Sequence, residues 1–452
     1  MWNKQNETNT FIQKVAKYIQ SHHLLHTNHK YLVALSGGAD SVALLRTLLL
    51  LGYKVEATHC NFHLRGEESD RDEEFCKRLC NDLCVSLHIV HFDTNAYAAL
   101  HHQSIELAAR NLRYSYFHSL CHDISAQGIC VAHHRDDNVE TVLMNLLRGT
   151  GIHGLRGILP RNGEILRPLL GVSRKEIENF LGYLDQPFVT DKTNLIDEAT
   201  RNKIRLNVLP LLETINPNVS ETIDQVSENI KEACKVFDSA IDKSINEVFS
   251  DGKISIAKLM GQPSPEYTLF TILNDYGFSS VQTKEIFNKL SSPSLQSGKI
   301  WNSETHSILI DRGQLVLEKY SSDTISELKI PEEGNYVIKG GDGKISIKSE
   351  SIDEDFVLSR DKDCICIDAQ KVSFPLHLRL TAEGDRFVPF GMRNFKLVSD
   401  FLTDRKKNMF EKRRQLVLTN SDNDIIWLVG ERVDNRFRIT PTTKRVLRIS
   451  LL

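Results

Sequence analysis

Apolar positions follow two alternating patterns over roughly the first 210 residues. Short aliphatic runs bounded by turn residues predict strands at Tyr31–Leu35, Lys54–His59, Leu87–Phe92 and Gly128–His133. Between them, apolar residues recur at helical spacing near Val42–Leu51, Asp70–Leu83, Ser104–Cys121 and Asp136–Arg148. Strand–helix alternation predicts an α/β fold, a parallel sheet wrapped by helices, with ligands gathered at the C-terminal ends of the strands. The turns near Ser36, His59 and His133 each follow a strand and should meet on one edge of that sheet.

Asn216-Pro217-Asn218 is a turn signal, and the pattern changes beyond it. Val219 to about Leu290 reads as mostly helical. Lys299 to about Phe374 shows short alternating β runs with glycine turns, and about Leu376 to Leu452 mixes strands with one basic helical piece near Lys396–Arg414. The expected organisation is a parallel-sheet domain over 1–215, a mostly helical domain over 216–315, a β-rich connecting segment over 316–374 and a small basic α+β domain over 375–452.

A length of 452 residues fits this division, being too long for one core. The N-terminal Met-Trp-Asn-Lys-Gln-Asn-Glu stretch lacks the apolar core of a signal peptide, and no apolar run approaches the ~18 residues of a membrane span. Nine cysteines, an odd number without a regular framework, fit reduced thiols and a cytoplasmic location. Cys76, Cys80 and Cys84 recur every four residues, as buried positions on one helix face would. The formal net charge of -3 argues against a polyanion partner until its distribution is considered. Residues 321–370 carry twelve acidic and six basic side chains, whereas 371–452 carry seventeen Lys/Arg against nine Asp/Glu. A basic terminal module is a weak electrostatic footprint for nucleic acid.

Candidate chemistry begins at Ser36-Gly37-Gly38-Ala39-Asp40-Ser41, between the first strand and the next helix. Glycines let backbone amides approach an anion, the helix start adds its positive end, and the two serines add donors. No Gly-Lys-Ser/Thr follows, so this is not a Walker A loop. Asp40 is either a cap for the helix or a carboxylate that shares Mg²⁺ with a polyphosphate. On a helix opening near Asp136, Asp137 and Glu140 share one face and suit either a metal ion or an ammonium group. His133 and His134 sit at a strand end, where alternation turns only one of them toward the site.

The Ser-Gly-Gly-x-Asp-Ser turn resembles the pyrophosphate-loop (PP-loop) signature of the N-type ATP pyrophosphatases. Three further stretches narrow the resemblance to the tRNA(Ile)-lysidine synthase family. They are His59…Arg65 in THCNFHLRGEESDRDEEF, VAHHRDDNVETVLMNLLRGTGIHGL (Val131–Leu155) and DKTNLIDEATRNKIRLNVLP (Asp191–Pro210). SIELAARNLRYSYF (Ser104–Phe117) and GDRFVPFGM (Gly384–Met392) also fit. The chain has no Cys-x-x-Cys pair, unlike the thiolase relatives.

The resemblance implies that Ser36–Ser41 bind ATP and that Asp40 and Asp137 hold Mg²⁺. It implies catalytic roles for Asp40, His133, Asp137 and Glu140, with His133 donating to phosphoryl oxygens. It places free L-lysine on Asp137, Glu140 and Asn194. It assigns tRNA contacts to Arg65, Arg113, Arg201, Arg205 and Arg386. The Lys/Arg cluster of Thr403–Gln415, with Lys406, Lys407, Arg413 and Arg414, is compatible with tRNA phosphate contacts, although an amphipathic core helix explains its Phe410 equally well. The implied reaction joins lysine to C2 of the wobble cytidine in the CAU anticodon of minor isoleucine tRNA, through an adenylated tRNA, with release of pyrophosphate and then AMP. A homodimer is compatible with the sequence. Two other readings stay open: a PP-loop amide ligase that adenylates a small carboxylic acid, and a non-catalytic ATP-responsive RNA-binding protein.

Overall fold

A computed structural model describes residues 2–190, 200–292, 297–320, 326–338, 343–352, 356–357 and 361–452. The chain divides into two compact units, Met1–Asp238 and Ser239–Leu452.

The first unit opens with α1 (Trp2–Ser21), which the sequence reading did not anticipate. Phe11, Val15 and Ile19, one helical turn apart, sink into the core. Then follow β1 (Lys30–Ala34), α2 (Ala39–Leu50), β2 (Lys54–Asn61), α3 (Glu67–Asp82), β3 (Leu87–His91), α4 (Thr94–Leu100), α5 (Ile105–Asp123), β4 (Ile129–Cys130) and α6 (Arg135–Leu147). The remainder is α7 (Ile152–Leu155), β5 (Arg161–Asn162), β6 (Ile165–Leu166), α8 (Arg174–Tyr183), α9 (Thr200–Lys203), a π-helical turn at Ile204–Val208, α10 (Leu209–Ile215) and α11 (Val219–Val248), within which the unit ends.

The sheet order is β3-β2-β1-β4-β6-β5, parallel throughout except for the β5–β6 hairpin. Connections reverse between β1 and β4, so the loops after these two strands diverge there and leave a crevice. Both faces of the sheet are covered. Val33, Leu44, Leu48, Cys76, Ile177 and Phe180 belong to one core cluster, in which Phe11 stacks on Phe180 at 4.3 Å. Leu32, Ile129, Phe117 and Leu120 form a second cluster, which packs α5 onto the sheet. The fourth strand ends at Cys130, short of the His133 expected from the sequence. Cys76 and Cys80 are buried on α3, but Cys84 lies past its end with φ 52° and is exposed. No disulfide forms among the described residues.

In the second unit, β7 (Phe249–Ser250), β8 (Lys253–Ser255), α12 (Ile256–Met260), α13 (Pro265–Asn274), α14 (Ser280–Leu290), β9 (Ile300–Asn302), β10 (His306–Asp311) and β11 (Gln314–Lys319) build one layer pair. Its antiparallel sheet, β7-β8-β11-β10-β9, packs through Ile254, Ile308 and Leu315 against Leu269, Leu273 and Ile286 of the helices. The rest comprises β12 (Leu328–Ile330), β13 (Gly334–Val337), β14 (Lys344–Ser351), β15 (Cys364–Asp368), β16 (Leu376–Leu380), β17 (Arg386–Phe387), β18 (Lys396–Leu397), α15 (Val398–Asp404), α16 (Met409–Arg414), β19 (Leu416–Thr419), β20 (Ile425–Leu428), β21 (Arg432–Val433) and β22 (Arg445–Leu451). β12 joins the sheet β12-β16-β19-β20-β21, and β14 pairs with β22 from Ile345↔Leu451 to Ser351↔Arg445. Strands β12 to β15 and the basic terminal stretch therefore share two sheets and one core, which includes Ile345, Ile367, Leu418 and Trp427. The basic helical piece is two short helices. The chain breaks after Asp404, Lys406 takes φ 60°, and Asn408 caps α16 through the backbone N–H of Glu411. Among the described residues, no helix is long and apolar enough to cross a membrane.

Candidate active site

The turn after β1 is shaped by its own side chains. Gly37 adopts φ +87°, and a Cβ there would press on Phe75 at 3.3 Å and Cys76 at 3.4 Å, so glycine is required. The Ser41 hydroxyl donates to Gly38 O (3.0 Å) and accepts from the backbone N–H of Ser36 (3.1 Å). Gly37 O accepts from Val189 N at 2.9 Å, which ties the loop to the segment after α8. Gly38 precedes α2 with no side-chain cap, so Asp40 is not the cap of this helix.

A cleft of about 420 Å³ opens over this turn. Ser36, Asp40 and Ser41 line it from the turn, while Gly37, Gly38 and Ala39 complete the loop's backbone. His133 and Asp137 line it from the region after β4, and Arg65, Arg110 and Arg113 line it from β2, α3 and α5 surroundings. Three guanidinium groups beside a glycine turn at a helix N-terminus give the cleft a positive lining, the chemistry that suits a polyphosphate. Arg65 also pairs with the buried Asp72 at 2.9 Å, and Arg113 lies 5.1 Å from the centre of the Phe62 ring.

Each acidic group of the site meets an arginine. Asp40 Oδ2 accepts from Arg174 Nη1 at 2.5 Å, whereas its buried Oδ1 has no hydrogen-bond partner. Burial pushes the Asp40 carboxyl above its ordinary range, against the opposing pull of His134 and Arg174. Glu140 is buried and accepts from Arg201 Nε at 2.5 Å, and Arg201 Nη2 also reaches Asp137 Oδ1 at 3.2 Å. Asp137 and Glu140 thus share a face, as their spacing requires, but only Asp137 lines the cleft. Burial raises Glu140 too, opposed by Arg201. The Asp137 Oδ2 atom accepts from the backbone N–H of His134 at 3.0 Å and fixes the start of α6.

His133 faces the cleft as expected. His134 does not turn away: its Nε2 lies 3.7 Å from Asp40 Oδ1 and 3.5 Å from Asp137 Oδ2. The strand has already ended at Cys130, so strict alternation no longer applies. Among the described residues, no group of three or more His, Cys, Asp or Glu is arranged to hold a metal ion. The donor set nevertheless fits Mg²⁺ carried in by phosphates, which needs only one or two carboxylates from protein. The orphaned Asp40 Oδ1 is such a donor.

Other expected residues sit differently. Arg201 pairs with Asp137 and Glu140, and Arg205 donates to Asn202 Oδ1 at 2.9 Å. Asn194 lies outside the described residues. Arg386, Lys406, Lys407, Arg413 and Arg414 belong to the second unit. There, Arg386 stacks near Phe395 (5.2 Å), Lys407 pairs with Glu431 (3.1 Å) and Glu411 (3.4 Å), and Arg414 is bidentate to Glu318 (2.5 and 3.1 Å). Lys406 and Arg413 are exposed. Arg167 and Arg174 lie outside the motif stretches, and His134 joins His133 at the site. Arg174 had a signal, because Ser173 and Glu176 form a capping box that marks the start of α8.

The fold and cleft are those of a PP-loop protein, and residues 7–212 match the PP-loop domain family. Residues 250–320 match the TilS substrate binding domain. A tRNA(Ile)-lysidine synthase of Bacteroides thetaiotaomicron is 46% identical over 438 residues, 96% of this chain and 98% of that one. One from Parabacteroides distasonis is 46% identical over 98% of this chain and 100% of its own, and one from Porphyromonas gingivalis 37% over 90% and 91%. The chain belongs to the tRNA(Ile)-lysidine synthase family.

Proposed function

We propose that the chain is a ligase that uses ATP to join free L-lysine to C2 of the wobble cytidine of minor isoleucine tRNA, forming lysidine in the CAU anticodon. The observation that carries this reading is the convergence of the Ser36–Ser41 turn, His133 and Asp137 on one cleft, with Glu140 joined to Asp137 by Arg201.

In the first step the cytidine O2 attacks the α phosphorus of ATP, an O–P bond forms, and pyrophosphate leaves. The Ser36–Ser41 backbone and hydroxyls hold the phosphates, Arg65, Arg110 and Arg113 balance their charge, and His133 donates to a phosphoryl oxygen. Asp40, with Asp137 beside it, would hold Mg²⁺, which neutralises phosphate charge when bound. In the second step the lysine ε-amine adds at C2, the C2–O bond breaks, and AMP departs. Asp137 and Glu140 position the ammonium in place of the Arg201 guanidinium, and a carboxylate takes up the proton the amine must lose. The target base has to leave its stack to reach such a pocket. Basic groups of the second unit, Arg386, Lys406 and Arg413 among them, contact the tRNA backbone.

Labelled lysine tests the reading. Label is expected in the CAU-anticodon isoleucine tRNA only when ATP is present, and absent when the anticodon is changed to GAU. Label that ignores the anticodon, or pyrophosphate release driven by a small acid without RNA, would contradict it.

A further inference from the structure

Arg167 follows β6 and is buried, at 7% exposure. Its Nε donates to His133 Nδ1 at 3.1 Å, its Nη1 donates to Leu159 O at 2.7 Å, and its own backbone N–H donates to Pro160 O at 2.9 Å. Among the described residues, no carboxylate forms an ion pair with it. A guanidinium keeps its charge at any working pH, and burying one without an anion is costly. Its neighbours therefore hold it in one place at a cost that packing does not explain.

The bond to His133 has a direct chemical consequence. A guanidinium has donors and no acceptor, so the ring nitrogen it meets must carry the lone pair. Nδ1 is that nitrogen. A neutral His133 ring then carries its proton on Nε2, and a doubly protonated ring could not accept the bond at all. We propose that Arg167 is a positioning residue that fixes His133 in the Nε2–H tautomer, so that the ring offers the cleft a permanent hydrogen-bond donor rather than a proton shuttle. The claim deepens the ATP reading and rests on it for the identity of the phosphoryl acceptor.

The surroundings of the ring agree. Burial holds His133 well below the ordinary imidazole value, at about 4. Of the charged and titratable groups that face it, Asp137 pulls upward, while Arg167, Arg201 and His134 push down. The ring stays neutral at physiological pH, which leaves the tautomer as the property to be set. The charge of Arg167 also adds to the positive field of Arg65, Arg110 and Arg113 around the cleft.

Nitrogen-15 spectra of the full-length, ligand-free protein labelled at histidine test this, with His133→Gln assigning the resonances. Wild type should show Nδ1 unprotonated and Nε2 protonated, without titration between about pH 6 and 8. Arg167→Met should give mixed tautomers and a midpoint moved up toward ~6.5, whereas Arg167→Lys, which keeps a donor, should retain the wild-type form. An Nδ1–H tautomer in wild type, or a His133 spectrum unchanged by Arg167→Met, would overturn the proposal. In ATP–pyrophosphate exchange, Arg167→Met should lower kcat roughly ten- to a hundredfold with little change in the KM for ATP. It should add no further loss to His133→Gln. Fully multiplicative losses would show that Arg167 acts independently of His133 and would also overturn it. Absence of exchange in wild type would tell against the ATP reading, a result separable from the ligand-free spectra.

Discussion

Asp40 in the first unit and Asp385 in the second both bond an arginine, at 2.5 Å and at 2.8 and 3.0 Å, yet their acidities move in opposite directions. Burial acts to raise both. At Asp385 two parallel bonds from Arg379 and one from the backbone N–H of Ala382 outweigh it, and the carboxyl falls below its usual range. At Asp40 the single bond from Arg174 does not, and one oxygen remains without a hydrogen bond. Glu140 behaves like Asp40. The second-unit carboxylate is a finished structural joint, which closes the Ala382–Asp385 turn and ties it to Arg379. At Asp40 and Glu140 burial instead outweighs the arginine, so the charged form is disfavoured there relative to Asp385.

Substitutions can break that contrast. Asp40→Ala should lower ATP–pyrophosphate exchange by about 10²–10³-fold while leaving tRNA affinity nearly unchanged; retained exchange would remove Asp40 from the reaction. Glu140→Gln should raise the KM for lysine roughly ten- to a hundredfold and spare exchange measured without lysine, because the amine site loses a charged partner. Asp385→Asn should leave chemistry alone and destabilise the protein by about 1–3 kcal/mol at neutral pH, read as a fall in Tm. Its folded value lies below the unfolded one, so its stabilisation is present above ~3.9 and lost as pH falls through the folded value. The Tm difference between wild type and Asp385→Asn should therefore close in that acid window and stay constant above it. Arg413→Ala should reduce the slope of log affinity for tRNA against log salt by ~0.9, and Arg414→Ala by less, because Glu318 already neutralises Arg414. Equal slopes would show that the ion pair opens on binding.

Much of the first unit could be read from local pattern. All four expected strands formed, and the glycine turn, His133 and Asp137 met on one cleft, because parallel alternation alone brings strand ends together. What escaped reading came from distant partners. Arg174 reaches Asp40 across 134 positions, and Arg167 reaches His133 across 34, and neither separation leaves a periodic trace. Helix α1 carries its stripe only in Phe11, Val15 and Ile19, because residues 3–10 are all polar and leave no amphipathic pattern. In the second unit, the Lys/Arg cluster reads from sequence as free charge, yet Lys407 pairs with Glu431 and Arg414 with Glu318, 96 positions away.

The central claim is that the cleft activates the tRNA base before lysine takes part. Its most direct test is ATP–pyrophosphate exchange with CAU-anticodon isoleucine tRNA present and lysine omitted. Exchange that requires this tRNA and proceeds without lysine is the predicted result. Exchange that requires lysine and proceeds without tRNA would mean that the amino acid is activated first, and would contradict the claim.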